Sequence, residues 1–234
     1  IGDAGTGMAA GLVGFYLFVF YTDVAELSAW LAGTVMMVVR VGDVISDQMI
    51  GFFGDRTDTQ SGPRIPWMVV CALPLGISMA LMWWVPPFEG AWRFIWFVLI
   101  ASAFQATYSG VNLPYSALAT ELTQDVTWRT RLNSIRFTGS VLASLIGLLL
   151  GAALSHQGAS GYLQLGVSAG IILIISTLAS AVGLAPAAAR CRKPSCEQRP
   201  LIAQLRQLSG NGLLLRLVCM YLLLWGALQL MQPL

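Results

Sequence analysis

The chain has 234 residues, of which 56% are hydrophobic and only 10% are charged. Soluble domains carry about 25% charged residues, so this composition excludes an ordinary soluble domain, and the mean hydropathy of +0.72 indicates several membrane-spanning helices. The net charge of +2 and the lack of a long basic tract argue against a nucleic-acid-binding protein.

Seven segments contain the roughly 20 apolar residues that a membrane-spanning helix needs. They lie at Gly2–Tyr21, Ser28–Phe53, Pro66–Val85, Trp92–Leu113, Leu132–Leu154, Tyr162–Ala185 and Gly212–Leu234. Tryptophans such as Trp83 and Trp92 lie near the predicted span ends, where aromatic side chains anchor helices at the membrane interface. The third and sixth spans are free of charge, so we expect them to face lipid. The sequence predicts an all-α polytopic membrane protein.

Basic residues are distributed unevenly among the predicted loops. The second, fourth and sixth loops hold nine Lys and Arg residues, whereas the others hold only Arg93. Because basic loops remain in the cytoplasm, we expect the N-terminus and these loops to be cytoplasmic and the protein to lie in the cell (inner) membrane. The polar segment 187–211 is predicted to link a six-helix bundle, residues 1–186, to a seventh helix, residues 212–234. The start at Ile1 suggests a fragment of a longer protein.

Three charged residues lie within the second span. At about 100° per residue, Arg40, Asp43 and Asp47 fall on one face of a helix. A charge near the middle of a membrane costs about 2.5–3.5 kcal/mol on insertion scales, so these groups require pairing, water or a bound ion. Two carboxylates beside one arginine leave a spare negative charge, which favours a site for Na⁺ or a transported proton. The alternative is a structural Arg40–Asp43 pair with Asp47 solvated.

The fourth and fifth spans carry polar and aromatic side chains. Tyr108, Asn112 and Tyr115 lie on the fourth span, and Arg136 lies near the start of the fifth. Such groups can bind a polyhydroxylated solute, but in spans they also form hydrogen bonds between helices. Both interpretations remain open at this point. The fifth span also has small residues at every fourth position, which predict a flat packing face: Gly139, Ala143, Gly147 and Gly151.

Sequence motifs of enzymes and metal sites are missing. The chain has no P-loop lysine motif and no HExxH motif, so we do not expect an enzyme. Cys191 and Cys196 have no further Cys or His nearby to complete a zinc site. We therefore expect no metal beyond a coupling Na⁺, no disulfide framework and no cofactor.

Two segments of the chain closely resemble a known transporter family. The first holds Phe-Tyr-Thr-Asp-Val at 20–24, Arg40-x-x-Asp43-x-x-x-Asp47-x-x-x-Gly51, and Gly-Asp-Arg-Thr-Asp-Thr-x-Ser-Gly-Pro-Arg-Ile-Pro-Trp at 54–67. The second holds Asn-Leu-Pro-Tyr-Ser-Ala-Leu at 112–118 and Arg-Thr-Arg-Leu-Asn-x-x-Arg at 129–136. Together they resemble the glycoside-pentoside-hexuronide:cation symporters, melibiose-permease-like members of the major facilitator superfamily. The resemblance covers essentially the whole chain.

The resemblance implies a twelve-helix transporter of two six-helix halves. This chain would hold the first half, the linker and the start of helix seven, and its partner would be the missing second half. By the same resemblance, Asp43 and Asp47 help to bind a coupling cation, Na⁺ or H⁺, and Arg136 borders a sugar-like solute. A cytoplasmic gating motif is implied at Gly51, Asp55 and Arg56.

Four positions differ from the family pattern. Asn112 stands where melibiose permeases carry an aspartate for sugar hydroxyls, and Ser116 stands where they carry a tryptophan. Gly7 aligns with a further aspartate of their first helix, and Gln48 replaces a frequent proline. These differences argue against a galactoside as the solute. Related branches carry lysophospholipids with Na⁺, so a lysolipid is the alternative within the family.

Three functions are therefore compared. The first is a cation-coupled symporter that works by alternating access. The second is a non-transporting protein that acts as a membrane assembly or binding partner, which would not need the carboxylates Asp43 and Asp47. A channel is disfavoured because the sequence shows no pore ring or filter motif.

The charge distribution makes the orientation testable through Cys191 and Cys196, which lie among five basic residues in the sixth loop. We expect both thiols to be cytoplasmic, because translocating so many basic residues is unfavourable. An impermeant maleimide added outside intact cells should label neither residue until the membranes are opened. Equal labelling before and after opening would reverse the orientation.

Overall fold

The computed structural model describes residues 2–57, 59, 64–87, 89–121, 125–190, 212, 216–221 and 223–224. The chain divides into two compact units, residues 1–192 and 193–234. The described residues of the first unit form six α-helices, and the described part of the chain contains no strand. The prediction of an all-α membrane protein is confirmed.

The six helices of the first unit are α1 Gly2–Val19, α2 Ala29–Arg56, α3 Ile65–Met82, α4 Ala91–Glu121, α5 Val126–Ser155 and α6 Ala159–Arg190. A short π-helix, Phe20–Val24, extends α1. Each of the six is long and apolar enough to cross a membrane. The predicted spans one to six therefore correspond to helices, although several helices run further than the apolar stretch that reveals them.

Two helix ends show why hydropathy underestimates length. Helix α4 continues eight residues beyond the predicted end at Leu113 and passes through Pro114, because in an apolar environment the backbone must satisfy its own hydrogen bonds and a proline is tolerated. Helix α5 begins at Val126, six residues before the predicted start at Leu132. Asp125 caps this earlier start by accepting a hydrogen bond of 2.8 Å from the Thr127 amide. Both helices therefore include terminal residues that lie outside the apolar stretch used to predict them.

The predicted linker and seventh helix are described only in part. Helix α6 continues four residues past the predicted boundary at 186, to Arg190. Residues 191–211 lie outside the described part of the chain, whereas residues 212, 216–221 and 223–224 are helical. The division into bundle 1–186, linker 187–211 and helix seven 212–234 stays a prediction.

The helices of the first unit pack in a regular pattern. Helix α1 packs against α5, α2 against α4, and α3 against α6, with further contacts of α3 with α4 and of α1 with α6. If α1, α2 and α3 exchange places with α4, α5 and α6 in that order, the same set of pairs results. Only 11% of the apolar stretch is buried in α2 and in α5, against 56% in α1. Helices α2 and α5 therefore present the most accessible surface of the bundle.

An aromatic cluster fills the core at the end of α1. Phe20 lies 5.4 Å from Trp83 and 5.2 Å from Tyr162 between ring centroids, and Trp83 stacks on Tyr162. All three side chains are buried. The expectation that Trp83 anchors a helix at the membrane interface is therefore wrong: the short turn after α3 directs its ring into the core, whereas Trp92 is exposed as expected.

Helices α1 and α5 approach each other closely at small residues. A Cβ atom built on Gly7 would lie only 2.7 Å from the Cα atom of Ser140, so no larger residue fits there without moving the backbone. The hydroxyl of Tyr16 also donates a hydrogen bond of 3.0 Å to the carbonyl of Leu148. Of the predicted packing face on α5, Gly147 faces α1, whereas nothing lies within 4 Å of a Cβ on Gly139.

The close approach predicts opposite effects of alanine at two glycines of α1. Gly7→Ala should lower the free energy of unfolding by about 1–3 kcal/mol, because the Ser140 backbone must move. Gly14→Ala is the matched control, since a Cβ there meets nothing within 4 Å and alanine favours the helix by up to about 1 kcal/mol. Thermal unfolding of both variants in detergent measures the difference. Equal midpoints would contradict the close packing.

Candidate functional site

Asp43 on α2 is held by two side chains of α4. The amide of Gln105 donates a hydrogen bond of 2.8 Å to its Oδ1 atom, and the hydroxyl of Ser109 donates one of 3.2 Å to the same oxygen. Gln105 and Ser109 are one helical turn apart, so a single face of α4 provides both donors. Among the described residues nothing donates to Oδ2 of Asp43. One oxygen is thus fixed in position while the other stays available to a ligand.

Asp47 lies one turn after Asp43 on the same helix. Both residues are partly buried, and within the described part of the chain Asp47 takes part in no hydrogen bond or ion pair. Arg40 is exposed, and no ion pair joins it to either aspartate among these residues. The structure therefore does not form the Arg40–Asp43 pair that the structural alternative requires, and the charge-balancing role of Arg40 stays a prediction.

A second polar group joins α1 to α5. The Nε and Nη2 atoms of Arg136 donate hydrogen bonds to the two carboxylate oxygens of Asp3, the second at 3.1 Å. Both side chains are mostly buried, with 21% of Arg136 and 14% of Asp3 exposed. The Cζ atom of Arg136 also lies 4.5 Å from the centroid of the Tyr115 ring, a cation–π contact from α4. Asp3 thus binds one edge of the planar guanidinium, and Tyr115 lies against its face.

Tyr108 on α4 lies near both groups. It is close enough to the carboxylates of Asp3 and Asp43 to interact with their charges, and its ring packs against Phe104. Asn112 lies one turn further along α4, is partly buried, and forms no side-chain hydrogen bond with the described residues. Its amide is therefore free to bind a ligand, in contrast to the interhelical hydrogen bond considered from the sequence.

Of the predicted solute-site residues, the structure brings Tyr115 and Arg136 into contact and places Tyr108 near the partner of Arg136. Gly51 of the gating motif lies in α2, with open space around it. The side chains of Asp55 and Arg56 lie outside the described part, so the motif stays a prediction.

Sequence reasoning missed Asp3. The resemblance directs attention to Gly7 as the position of an absent helix-one aspartate, but the contact of Gly7 with Ser140 leaves no space for a side chain. The carboxylate that the structure places beside Arg136 is that of Asp3, one turn earlier. An acidic residue inside an apolar span is itself a signal of function, and it could have identified Asp3 without any alignment.

Comparisons with known proteins identify a transporter family and several symporters that are similar to this chain. A family model described as MFS/sugar transport protein matches residues 1–233. A Synechocystis protein named an uncharacterised symporter is 40% identical over 193 residues, which cover 78% of this chain and 36% of that protein. The Escherichia coli inner membrane symporter YicJ is 36% identical over 149 residues, or 64% of this chain and 32% of its own.

A vertebrate relative carries a different substrate in its name. The sodium-dependent lysophosphatidylcholine symporter 1 of Xenopus tropicalis is 30% identical over 148 residues, which cover 63% of this chain and 28% of that protein. The chain thus spans about a third of the length of the curated relatives it matches.

The pairing of Arg136 predicts a difference between two conservative substitutions. Arg136→Lys keeps the charge but cannot donate from two fixed positions to Asp3, so it should lower the free energy of unfolding by about 1.5 kcal/mol or more. Arg131→Lys is the control, because Arg131 is exposed and only lies 5.5 Å over the Trp128 ring; its effect should stay within about 0.5 kcal/mol. Thermal unfolding in detergent distinguishes the two. Equal losses would argue against a structured Asp3–Arg136 pair.

Proposed function

Since this chain belongs to the MFS/sugar transport protein family, we propose that it forms the N-terminal half of a symporter that couples the movement of Na⁺ or H⁺ to that of a sugar or related small solute. The relatives are named symporters, and a multi-pass integral membrane protein is the setting that this activity needs. The two halves would rock around a site near the middle of the membrane.

The observation that carries the proposal is the geometry of Asp43. Its Oδ1 atom accepts two hydrogen bonds from α4, and no cationic side chain of the described residues pairs with it. An ionised carboxylate within a membrane span is costly unless a positive charge joins it. A mobile cation meets this need, and Asp47, one turn away, supplies further oxygen ligands of the kind that hard cations prefer.

The solute would bind on the same face of α4. Tyr108, Asn112 and Tyr115 recur at helical spacing along it, and Arg136 reaches over the last of them. Aromatic rings, a free amide and a guanidinium suit a polyhydroxylated solute. Because Gln105 and Ser109 of the same helix hold Asp43, a cation bound at Asp43 would shift the position of α4 and hence the affinity for the solute, and the reverse effect follows from linkage.

The alternative substrate is a lysolipid. It is favoured by the identity of 30% to a lysophosphatidylcholine symporter and by the large apolar side chains that α2 exposes near Asp43, such as Met37, Val41 and Val44. A non-transporting assembly partner would leave the unpaired carboxylate of Asp43 without a purpose. Uptake of labelled glycosides, pentosides and hexuronides, with lysophosphatidylcholine in parallel, distinguishes all three functions.

The proposed orientation follows from the loop charges. The N-terminus and the 187–211 segment would lie in the cytoplasm, with the protein in the inner membrane of the cell. The site at Asp43 and Asp47 would then lie within the span between an external N-terminal end of α2, capped by Ser28, and a cytoplasmic end at Arg56.

Two carboxylate substitutions test the coupling site in vesicles that hold the complete transporter. Asp43→Asn and Asp47→Asn remove a charge at nearly constant volume, so each should reduce accumulation driven by a Na⁺ or pH gradient by about tenfold or more, the effect of about 1.4 kcal/mol, while solute binding persists. Asp23→Asn is the control, because Asp23 is exposed and bonded only to Thr22 among the described residues.

The result that would refute the coupling site is specific. A well-folded Asp47→Asn transporter that accumulates solute with unchanged dependence on Na⁺ and pH shows that the two carboxylates do not act together. If Asp43→Asn alone disturbs folding and Asp47→Asn is silent, Asp43 has a structural role instead.

A further inference from the structure

Arg136 has the chemistry of an anion-binding group. Its guanidinium carries five N–H donors in a planar fork that matches carboxylate and phosphate oxygens. With 21% of its side chain exposed, it remains accessible to a small solute. An unpaired arginine at this position would attract any negatively charged solute that reached the site.

Asp3 already occupies this fork. Its two oxygens accept hydrogen bonds from Nε and Nη2 of Arg136, and Tyr115 covers one face of the guanidinium. The pair is electrically neutral. Nη1 of Arg136 donates to no described residue, so one end of the guanidinium remains as a donor, and the carboxylate oxygens of Asp3 retain lone pairs as acceptors.

We propose that Asp3 is a specificity-determining residue that masks Arg136, so that the solute site accepts neutral hydroxyl-bearing solutes and excludes anionic ones. The inference rests on the proposed function and narrows its substrate class. Neighbouring hydroxyl groups of a neutral solute can donate to Asp3 and accept from the free end of Arg136, whereas a carboxylate or phosphate is repelled by Asp3 and must displace it. The charge of the site, not its shape, performs this selection.

Among the described acids, only Asp3 pairs with Arg136. Asp43 is bonded to Gln105 and Ser109 on α4, and Asp47 lies a further turn along α2. Asp23 lies in the π-helix after α1, bonded to Thr22. Removing the charge of Asp3 therefore converts Arg136 into an unmasked anion receptor, which makes a gain of binding the expected result.

The first test measures ligand-induced stabilisation of the 234-residue chain in detergent. The probes are glucuronate and methyl glucoside, which share a sugar ring but differ in charge. Glucuronate should raise the unfolding midpoint of Asp3→Asn by several degrees, because a ligand that binds only the folded state stabilises it, and should leave the wild type unchanged. Asp3→Glu, which keeps the carboxylate, and Asp23→Asn should behave like the wild type.

This measurement remains informative if Asp3→Asn is unstable, because an anion that fills the vacated position of Asp3 should rescue its folding. Asp3→Ser serves as a second variant with the same expectation. The inference is overturned if glucuronate stabilises the wild type as much as Asp3→Asn, or if neither variant responds to glucuronate.

The second test uses the complete transporter in vesicles and compares competition by nitrophenyl glucuronide and nitrophenyl glucoside. Asp3→Asn should shift the ratio of their affinities toward the glucuronide by about tenfold or more.

Failure of the proposed function gives a different result from failure of the masking. A wild type without uptake, together with glucuronate binding by the Asp3→Asn chain, refutes the symporter but supports the masking. An active wild type with an unchanged ratio in Asp3→Asn refutes the masking.

Discussion

A charge held within a membrane span needs a compensating partner, and the organisation of this bundle follows from how two aspartates obtain one. Asp3 meets the need within the bundle itself, through two hydrogen bonds with Arg136. Asp43 meets it only in part, through neutral donors on one of its oxygens. The first arrangement joins α1 to α5, and the second joins α2 to α4. In the proposed transporter, the completed pair would provide selectivity, and the incomplete one would bind the mobile ion.

Helix α4 connects the two arrangements. Gln105 and Ser109 hold Asp43, Tyr108 lies near both aspartates, and Tyr115 covers Arg136. These side chains fall on one face because they recur at the spacing of a helical turn. A small displacement of this helix therefore changes the environment of both groups at once. In the proposed symporter, ion and solute would influence each other without a long chain of intermediate contacts.

Much of the fold could be predicted from the sequence, because apolar stretches of membrane length have few alternatives to a helix. The predicted ends were less accurate where polar residues cap a helix, as Asp125 does for α5, or where a helix continues through a proline, as at Pro114. Trp83 was misplaced because the same residue type suits an interface and a core. The distinction depends on the path of the turn after α3, which hydropathy does not report.

The candidate site was predictable to the extent that its groups share one helix. The common face of Asp43 and Asp47 follows from helical geometry alone, whereas the donors from Gln105 and Ser109 depend on how α2 and α4 are placed side by side. Asp3 and Arg136 are 133 positions apart, so no periodicity in the sequence can connect them. Their meeting depends on the close packing of α1 on α5, which the glycine pattern of α5 predicted only in part.

The close approach of Gly7 to Ser140 has a consequence for the direction of transport. Because α1 and α5 are packed backbone to backbone beside Asp3 and Arg136, the two helices must travel together whenever the bundle tilts. The proposed filter, carried by both helices, would then keep its geometry whether the site opens outward or inward. Discrimination by charge would then be the same for influx and efflux, and reversing the driving gradient would reverse the direction of flow without changing which solutes pass.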